Sequence, residues 1–336
     1  MSASTAAQVA LSPFNDEAAD FVLQSSDGVA YHVWRAILGK GSSIFRYMLE
    51  DPQLPSRTAF SDHSTSSKRV VHVTEESKLL HALLQCLYPG ARPDVGISDL
   101  VALYRAGDKY HAEAVKEHVF DKLSRYASLP AYCVRAYTIA CYLNKEYIVD
   151  RAAVQAVYLP KSALSGLEYP ELKLVPPSTH ERLLQCRSRA LSAVADMCTP
   201  LYWLSQALDT EVWAHHQLWD FYINDREKCN CECVDGILLV DEDGTMVDSE
   251  ESAWDEIAYF VRKWCFDYFQ EIESSIREER LALIEALRNT EALSRAMESA
   301  AACKTCRTGA IKVLLDLIKR ISEDVDYEVK NVINDD

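Results

Sequence analysis

The stretch "DFVLQSSDGVAYHVWRAILGKGSSIFRYML", residues 20–49, decides the fold of the first part of this chain. Residues 21–23 and 30–33 are short apolar runs. The Ser, Asp and Gly between them are typical of a tight turn, so the pattern predicts a β-hairpin. Apolar residues then recur at helical spacing and predict two short helices, with Ser42 or Ser43 as N-cap of the second.

The pattern continues on both sides of this stretch. Residues 1–17 are rich in Ala and Ser and predict a disordered lead-in, and the polar residues 51–67 predict a loop. The run "RVVHV" (69–73) predicts a strand, and "TEESKLLHALLQCLYPG" predicts a helix with Thr74 as its N-cap. Two further helices should follow, separated near residues 108–110.

The rest of the chain reads as mostly helical. Helical spacing recurs from residue 129 to the end, including long helical stretches over residues 251–300. One interruption, "GILLVDEDGTMVD", predicts a hairpin with Asp243 and Gly244 at its turn. We find no internal repeat of 20–50 residues.

Composition limits the functions that this chain can have. Its 336 residues carry a net charge of −16, so its surface repels phosphate backbones and direct nucleic-acid binding is not expected. No apolar run approaches the roughly 20 residues that span a bilayer. The N-terminus lacks the basic region of a signal peptide, so we expect a cytoplasmic or nuclear protein with no membrane contact, in which the 11 cysteines stay reduced.

The order of elements resembles a BTB/POZ domain over residues 18–126. The fragments that carry the resemblance are "VLQSSDGVAYHVWRAIL", "SSIFRYML", "VVHVTEESKLLHALLQCLYPG" and "LVALYRAGDKYHAEAVKEHVFDKL". The remainder resembles the C-terminal half of an expanded set of fungal BTB/POZ chains, with a mid-region cysteine group, a Trp-rich helix and a late Cys-x-x-Cys-Arg segment. The resemblance therefore predicts an α+β chain. It has a small sheet with packed helices at 18–126 and a mostly helical domain at 127–336, which carries a cysteine-rich hairpin near 229–250.

A BTB-like domain implies a protein-interaction module that forms a two-fold homodimer and binds other proteins, among them a cullin. We predict a dimer interface from an apolar patch with one cation, formed by Phe21, Val33, Trp34, Arg35, Ile37 and Leu38. Trp34 is the best candidate because Trp is enriched in interface hot spots, whereas for Ile37 and Leu38 a place in the monomer core is the favoured alternative. Asp27 is either a partner of Arg35 or a turn residue.

Five clustered cysteines predict a structural zinc site. Cys229, Cys231 and Cys233 form a Cys-x-Cys-x-Cys segment, and Cys303 and Cys306 have the spacing of a zinc-binding pair. Four of these thiolates would fill a tetrahedral site and leave no open position for catalysis. Unconnected thiols are the simpler alternative, and His215 or His216 is an alternative ligand.

No catalytic motif supports an enzyme. The chain has no Gly-rich phosphate loop, no G-x-S-x-G and no H-E-x-x-H, and Gly244 is misplaced for a calcium loop. We therefore expect a non-catalytic dimerising scaffold, or a substrate adaptor for a cullin-type ubiquitin ligase. A transcription-associated corepressor-type scaffold is the alternative, and a zinc or thiol enzyme in the C-terminal half is the competing class.

Overall fold

The computed structural model describes residues 8–50, 68–199, 222–223, 233–240, 257–304 and 306–334. The chain divides into two compact units, Met1–Tyr126 and Ala127–Asp336. None of the helices in these described ranges is long and apolar enough to cross a membrane.

A three-stranded sheet organises the N-terminal unit. The predicted hairpin is present as β1 (Phe21–Gln24) and β2 (Ala30–Val33), which pair antiparallel with Phe21 opposite Val33. Gly28 has φ +88° at the turn, a conformation that side chains with a Cβ rarely adopt. The predicted third strand, β3 (Arg69–His72), pairs parallel with β1, so the sheet order is β2-β1-β3.

Residues 8–17, which the sequence places in a disordered segment, are ordered and follow the outer edge of β2. Ala10 donates its N–H to the Ala30 carbonyl, and Ala30 donates back to Gln8. Phe14 is fully buried against the rings of Tyr31, His81 and Tyr88. Burial of the Phe14 side chain therefore holds residues 8–17 against the N-terminal unit. Residues 1–7 lie outside the described residues.

Five helices pack around this sheet in the described part of the N-terminal unit. They are α1 (Arg35–Gly41), α2 (Ser43–Glu50), α3 (Ser77–Leu87), α4 (Leu100–Lys109) and α5 (Glu113–Ala127). Their inner faces bury apolar side chains such as Leu38, Leu84 and Leu103. The expected break near residues 108–110 is present between α4 and α5.

The helix after β3 begins two residues later than the sequence predicts. Its first residue is Ser77, and Thr74 does not cap it. Instead Asp27, in the β1–β2 turn, accepts hydrogen bonds from the Ser77 amide (2.9 Å) and the Ser77 hydroxyl. A carboxylate from a distant turn thus satisfies a free amide at the start of α3, where negative charge is also favourable.

The C-terminal unit is helical, as predicted. Its described helices are α6 (Cys133–Tyr142), α7 (Glu146–Val157), α8 (Ser178–Met197), α9 (Lys263–Arg277), α10 (Leu283–Leu287), α11 (Thr290–Ala301) and α12 (Ala310–Asn334). The α8 residue Arg187 is buried; its guanidinium binds the Glu279 carboxylate just after α9 and donates to the Leu159 carbonyl at 2.9 Å. This buried ion pair fixes the end of α9 against α8.

A second sheet interrupts the helices and corrects the prediction of long helices from residue 251 onward. It has the order β4-β6-β5, with β4 (Tyr222–Ile223), β5 (Cys233–Val240) and β6 (Ile257–Arg262). The β6 sequence IAYFVR is rich in β-branched and aromatic residues, which favour strands. The predicted turn at Asp243 and Gly244 lies outside the described residues.

Candidate functional site

The structure divides the predicted dimer interface into buried and exposed side chains. Phe21, Val33 and Leu38 are fully buried in the core of the N-terminal unit, and Ile37 is half-buried. The strand residues are buried because the sheet faces receive the packed helices, and Leu38 is the residue that α1 turns inward. Phe21, Val33 and Leu38 therefore belong to the core of the unit and offer no exposed surface for a dimer contact.

Trp34 and Arg35 are the exposed members of the predicted interface. Trp34 precedes the first turn of α1, is 38% exposed, and its backbone N–H donates to the Tyr88 hydroxyl at 2.7 Å. The Arg35 guanidinium pairs with Asp20 at 3.1 Å and lies 5.9 Å from the centre of the Phe21 ring. Arg35 thus forms its ion pair with Asp20, whereas Asp27, the other expected partner, accepts hydrogen bonds from Ser77 at the start of α3.

A second exposed aromatic side chain lies on the next helix. Tyr47 on α2 is 66% exposed, and the Arg46 guanidinium lies 5.8 Å from its ring centre. Tyr47 is one of the apolar residues whose helical spacing predicts α2, and that spacing does not show that its side chain is exposed. Aromatic side chains are enriched at protein interfaces, so α1 and α2 together offer two candidate contact residues.

A groove lies between α3 and the segment that leads into α4. Its volume is about 550 Å³. Leu79, Ala82, Val95 and Ala102 are among its apolar lining residues. The charged lining residues are four carboxylates and one ammonium: Glu75, Glu76, Asp94, Asp99 and Lys78. Three of these carboxylates are paired with lysines: Glu75 with Lys109, Asp94 with Lys122 and Asp99 with Lys78. The groove therefore combines apolar lining residues with a largely neutralised set of charges.

One end of the groove is fixed by a buried carboxylate. Glu75 accepts a hydrogen bond from Lys109 Nζ at 2.6 Å and another from the Tyr110 hydroxyl. Burial raises the pKa of Glu75, but these two hydrogen bonds outweigh it and leave the pKa below its usual value. Tyr110 stacks on Phe45 with ring centres 4.3 Å apart, so Glu75 ties α3 to the α4–α5 junction and to α2.

The predicted zinc ligands fall into two groups. Cys303 lies just after α11 and Cys306 lies in the following 3₁₀ turn (Cys306–Thr308); both are buried, and neither forms a disulfide with another described cysteine. Cys233 is described by its backbone as the first residue of β5. Cys229 and Cys231, like His215 and His216, lie outside the described residues. Within the described residues no group of three or more His, Cys, Asp or Glu is placed to hold a metal ion.

Arg262 connects the two cysteine segments. It is the last residue of β6, where its Cα pairs with that of Cys233 on β5, and it is also the N-cap residue of α9. Its Nη1 donates a hydrogen bond to Cys306 Sγ at 3.1 Å. The backbone of Cys233 thus pairs with Arg262, and the side chain of Arg262 reaches the sulfur of Cys306, although about 70 residues of sequence separate the two cysteine segments.

Comparison with known families identifies the N-terminal unit. Residues 12–126 match the model of the BTB/POZ domain. The chain therefore contains a BTB/POZ domain, which makes its N-terminal unit a protein–protein interaction module. BTB domains generally mediate self-association and the binding of other proteins. A search of curated proteins gave no match to this chain.

Proposed function

We propose that this protein is a non-catalytic, homodimeric interaction protein of the cytosol or nucleus, which acts as a scaffold or as a substrate adaptor for a cullin-type ubiquitin ligase. The observation that carries the proposal is the BTB/POZ domain with Trp34 exposed beside its hairpin. A two-fold contact requires a self-complementary patch, and a tryptophan at its centre supplies a large apolar area. The neighbouring Arg35–Asp20 pair would form part of the polar rim.

The α3–α4 groove supports binding of a second partner. It lies within the same unit as Trp34, but α1 does not line it. Because three of its four carboxylates are paired with lysines, its apolar lining residues would supply most of the contact with a partner. A dimer through α1 and a partner in the groove would give a two-fold assembly that presents two copies of the C-terminal unit.

Five of the described thiols of the C-terminal unit support a non-catalytic role. Burial raises the pKa of Cys133, Cys141, Cys186, Cys198 and Cys265. A thiol with a raised pKa stays protonated at neutral pH and is a poor nucleophile. The competing hypothesis, an enzyme with a zinc or thiol site in this unit, would need a thiol or a metal position outside this set.

A corepressor-type scaffold is the alternative within the class of interaction proteins. Such a scaffold would form the same dimer through α1 as the ligase adaptor, but its BTB/POZ domain would recruit a different partner. The net charge of −16 disfavours direct DNA contact in either case.

The test is size-exclusion chromatography with light scattering on the full chain mixed with a cullin N-terminal domain. A stable co-eluting complex is expected. Ala82→Arg, which places a long cation in the groove, should abolish it, whereas Ala91→Arg at an exposed loop position outside the groove should leave it intact. A chain that dimerises and ignores the cullin would contradict the adaptor role and favour the corepressor-type scaffold.

A further inference from the structure

We propose that one exposed side of α12 is a separate binding surface, which takes an acidic amphipathic helix of another protein. This α12 face consists of Ile311, Lys312, Leu315 and Lys319, all within the first three turns of the helix. It belongs to the C-terminal unit, so the proposal goes beyond the interaction function of the BTB/POZ domain.

The α12 face carries two half-exposed aliphatic side chains. α12 packs against α7 and α8, and its buried residues include Ala310, Leu314 and Ile321. Ile311 and Leu315 each follow a buried residue and are rotated from it by about 100° around the axis, because an α-helix has 3.6 residues per turn. They are 49% and 50% exposed and lie one turn apart. The two side chains therefore form a short apolar row beside the buried one.

Two lysines run alongside this apolar row. Lys312 and Lys319 are seven residues apart, which places them on one side of the helix and about 10.5 Å apart along its axis. Both side chains are exposed. Lys312 forms no ion pair with another described residue, and Lys319 Nζ lies 3.8 Å from Glu323 Oε1 in an exposed pair of little strength. Both ammonium groups are therefore available to carboxylates of a partner.

The charge at this end of α12 is opposite to that of the whole chain. Between Glu298 and Glu323 the sequence has five cationic residues and one acidic residue, Asp316, whereas the chain carries a net charge of −16. Two of the cations, Lys304 and Arg307, are exposed in the segment between α11 and α12. Complementary charge speeds association and selects among partners, so this surface favours a partner whose contact segment is acidic.

A helix is the partner segment that matches this arrangement. Its apolar residues, three or four positions apart, would pack on Ile311 and Leu315, and carboxylates on its adjacent row would pair with Lys312 and Lys319. The contact area is small, so we expect a dissociation constant in the micromolar range that increases with salt. An anionic membrane suits the surface less well, because none of its four residues is aromatic and anionic lipid repels a chain of net charge −16.

The first experiment measures binding of a labelled synthetic helix to the full chain by fluorescence anisotropy at low salt. The probe has three heptads with leucine at positions a and d, glutamate at e and g, and alanine elsewhere, and repulsion between its glutamates opposes self-association. A second probe with lysine in place of glutamate is the charge control. We expect micromolar binding of the glutamate probe, and binding of the lysine probe that is about tenfold weaker.

Four single substitutions locate the binding surface. Lys312→Glu and Leu315→Ala should each weaken binding of the glutamate probe about fivefold, through a lost charge contact and a lost apolar contact. Lys173→Glu and Leu129→Ala make the same changes at exposed positions of the same unit outside the α12 face, and they should leave the affinity unchanged. Because all four side chains are exposed, each variant should keep the far-ultraviolet spectrum of wild type.

An exchange of charge gives an independent measurement. The double variant Lys312→Glu, Lys319→Glu should bind the lysine probe more tightly than wild type does. No binding of the glutamate probe to wild type, equal affinities for the two probes, or unchanged affinity in both Lys312→Glu and Leu315→Ala would overturn the proposal. Cosedimentation of wild type with vesicles of phosphatidylserine and phosphatidylcholine, abolished by Lys312→Glu, would also overturn it, because the surface would then bind lipid.

Discussion

Phe14 should anchor the N-terminal segment to the BTB/POZ domain, and its replacement by Ala should destabilise that domain strongly. The side chain is fully buried, and it packs against two rings in edge-to-face geometry with ring centres 5.2 Å (His81) and 5.1 Å (Tyr88) away. Truncation of a buried Phe to Ala costs about 3–5 kcal/mol through lost burial and the cavity that remains. We expect a value near the lower end, about 3 kcal/mol, because a segment beside a domain edge collapses more easily than a central helix.

The assay is native-state hydrogen exchange with increasing urea on the full chain, read from peptides that cover β1 and β2. These peptides report the unfolding free energy of the N-terminal unit separately from that of the C-terminal unit. A loss of about 3 kcal/mol raises the unfolding equilibrium constant more than a hundredfold at 25 °C.

The matched control for Phe14→Ala is Leu11→Ala. Leu11 lies three residues earlier in the same segment and is 79% exposed, so its truncation should change the free energy by less than about 0.5 kcal/mol. Equal effects of the two substitutions, or no effect of Phe14→Ala on the β1 and β2 peptides, would refute the inference that Phe14 is an anchor.

Two further predictions concern stability of the same domain. Glu75→Gln should lower the unfolding free energy by about 1–2 kcal/mol at pH 7, because the hydrogen bond from Lys109 then meets a neutral group. Since the folded pKa of Glu75 is depressed, the difference in stability from wild type should be present above pH 4.5 and should shrink as the pH falls through the lowered pKa. The urea midpoints of the two proteins should therefore converge at low pH. A pH-independent difference would contradict this assignment. Gly107→Ala should lower the melting temperature, because its new methyl group would lie 3.0 Å from Val115 Cγ1, at a cost of about 1–3 kcal/mol that is only partly offset by helix propensity. Gly96→Ala, whose methyl group meets nothing closer than 3.8 Å, is the control and should leave the melting temperature nearly unchanged.

Local sequence signals were sufficient to predict the three strands of the first sheet. The hairpin was predictable because its turn chemistry and its two apolar runs lie within 13 residues, and Arg69–His72 was predictable from its β-branched run. Long-range contacts were not predictable in this way. Phe14 is buried by residues 17–74 positions away, and the carboxylate that caps α3 comes from Asp27, 50 residues earlier. Neither contact leaves a periodic pattern in the sequence.

The sequence also did not show which residues of the predicted dimer interface are exposed. Strand and helix periodicity identified Phe21, Val33 and Leu38 as apolar, but periodicity alone does not distinguish a core residue from a contact residue. Trp34 stood out because of its residue type, and Tyr47 was hidden because its position fits the apolar spacing of α2. The β6 strand was missed because a six-residue apolar run beside helical sequence is ambiguous until its partner β5 is known.

The most direct test of the central claim is the molar mass of the full chain by light scattering, compared among wild type, Trp34→Ala and Tyr147→Ala. Tyr147 is an exposed aromatic residue of the C-terminal unit and serves as the control. We expect a dimer for wild type and for Tyr147→Ala, and a monomer with an intact far-ultraviolet spectrum for Trp34→Ala. A wild-type chain that stays monomeric at micromolar concentration, or a Trp34→Ala dimer as stable as wild type, would contradict it.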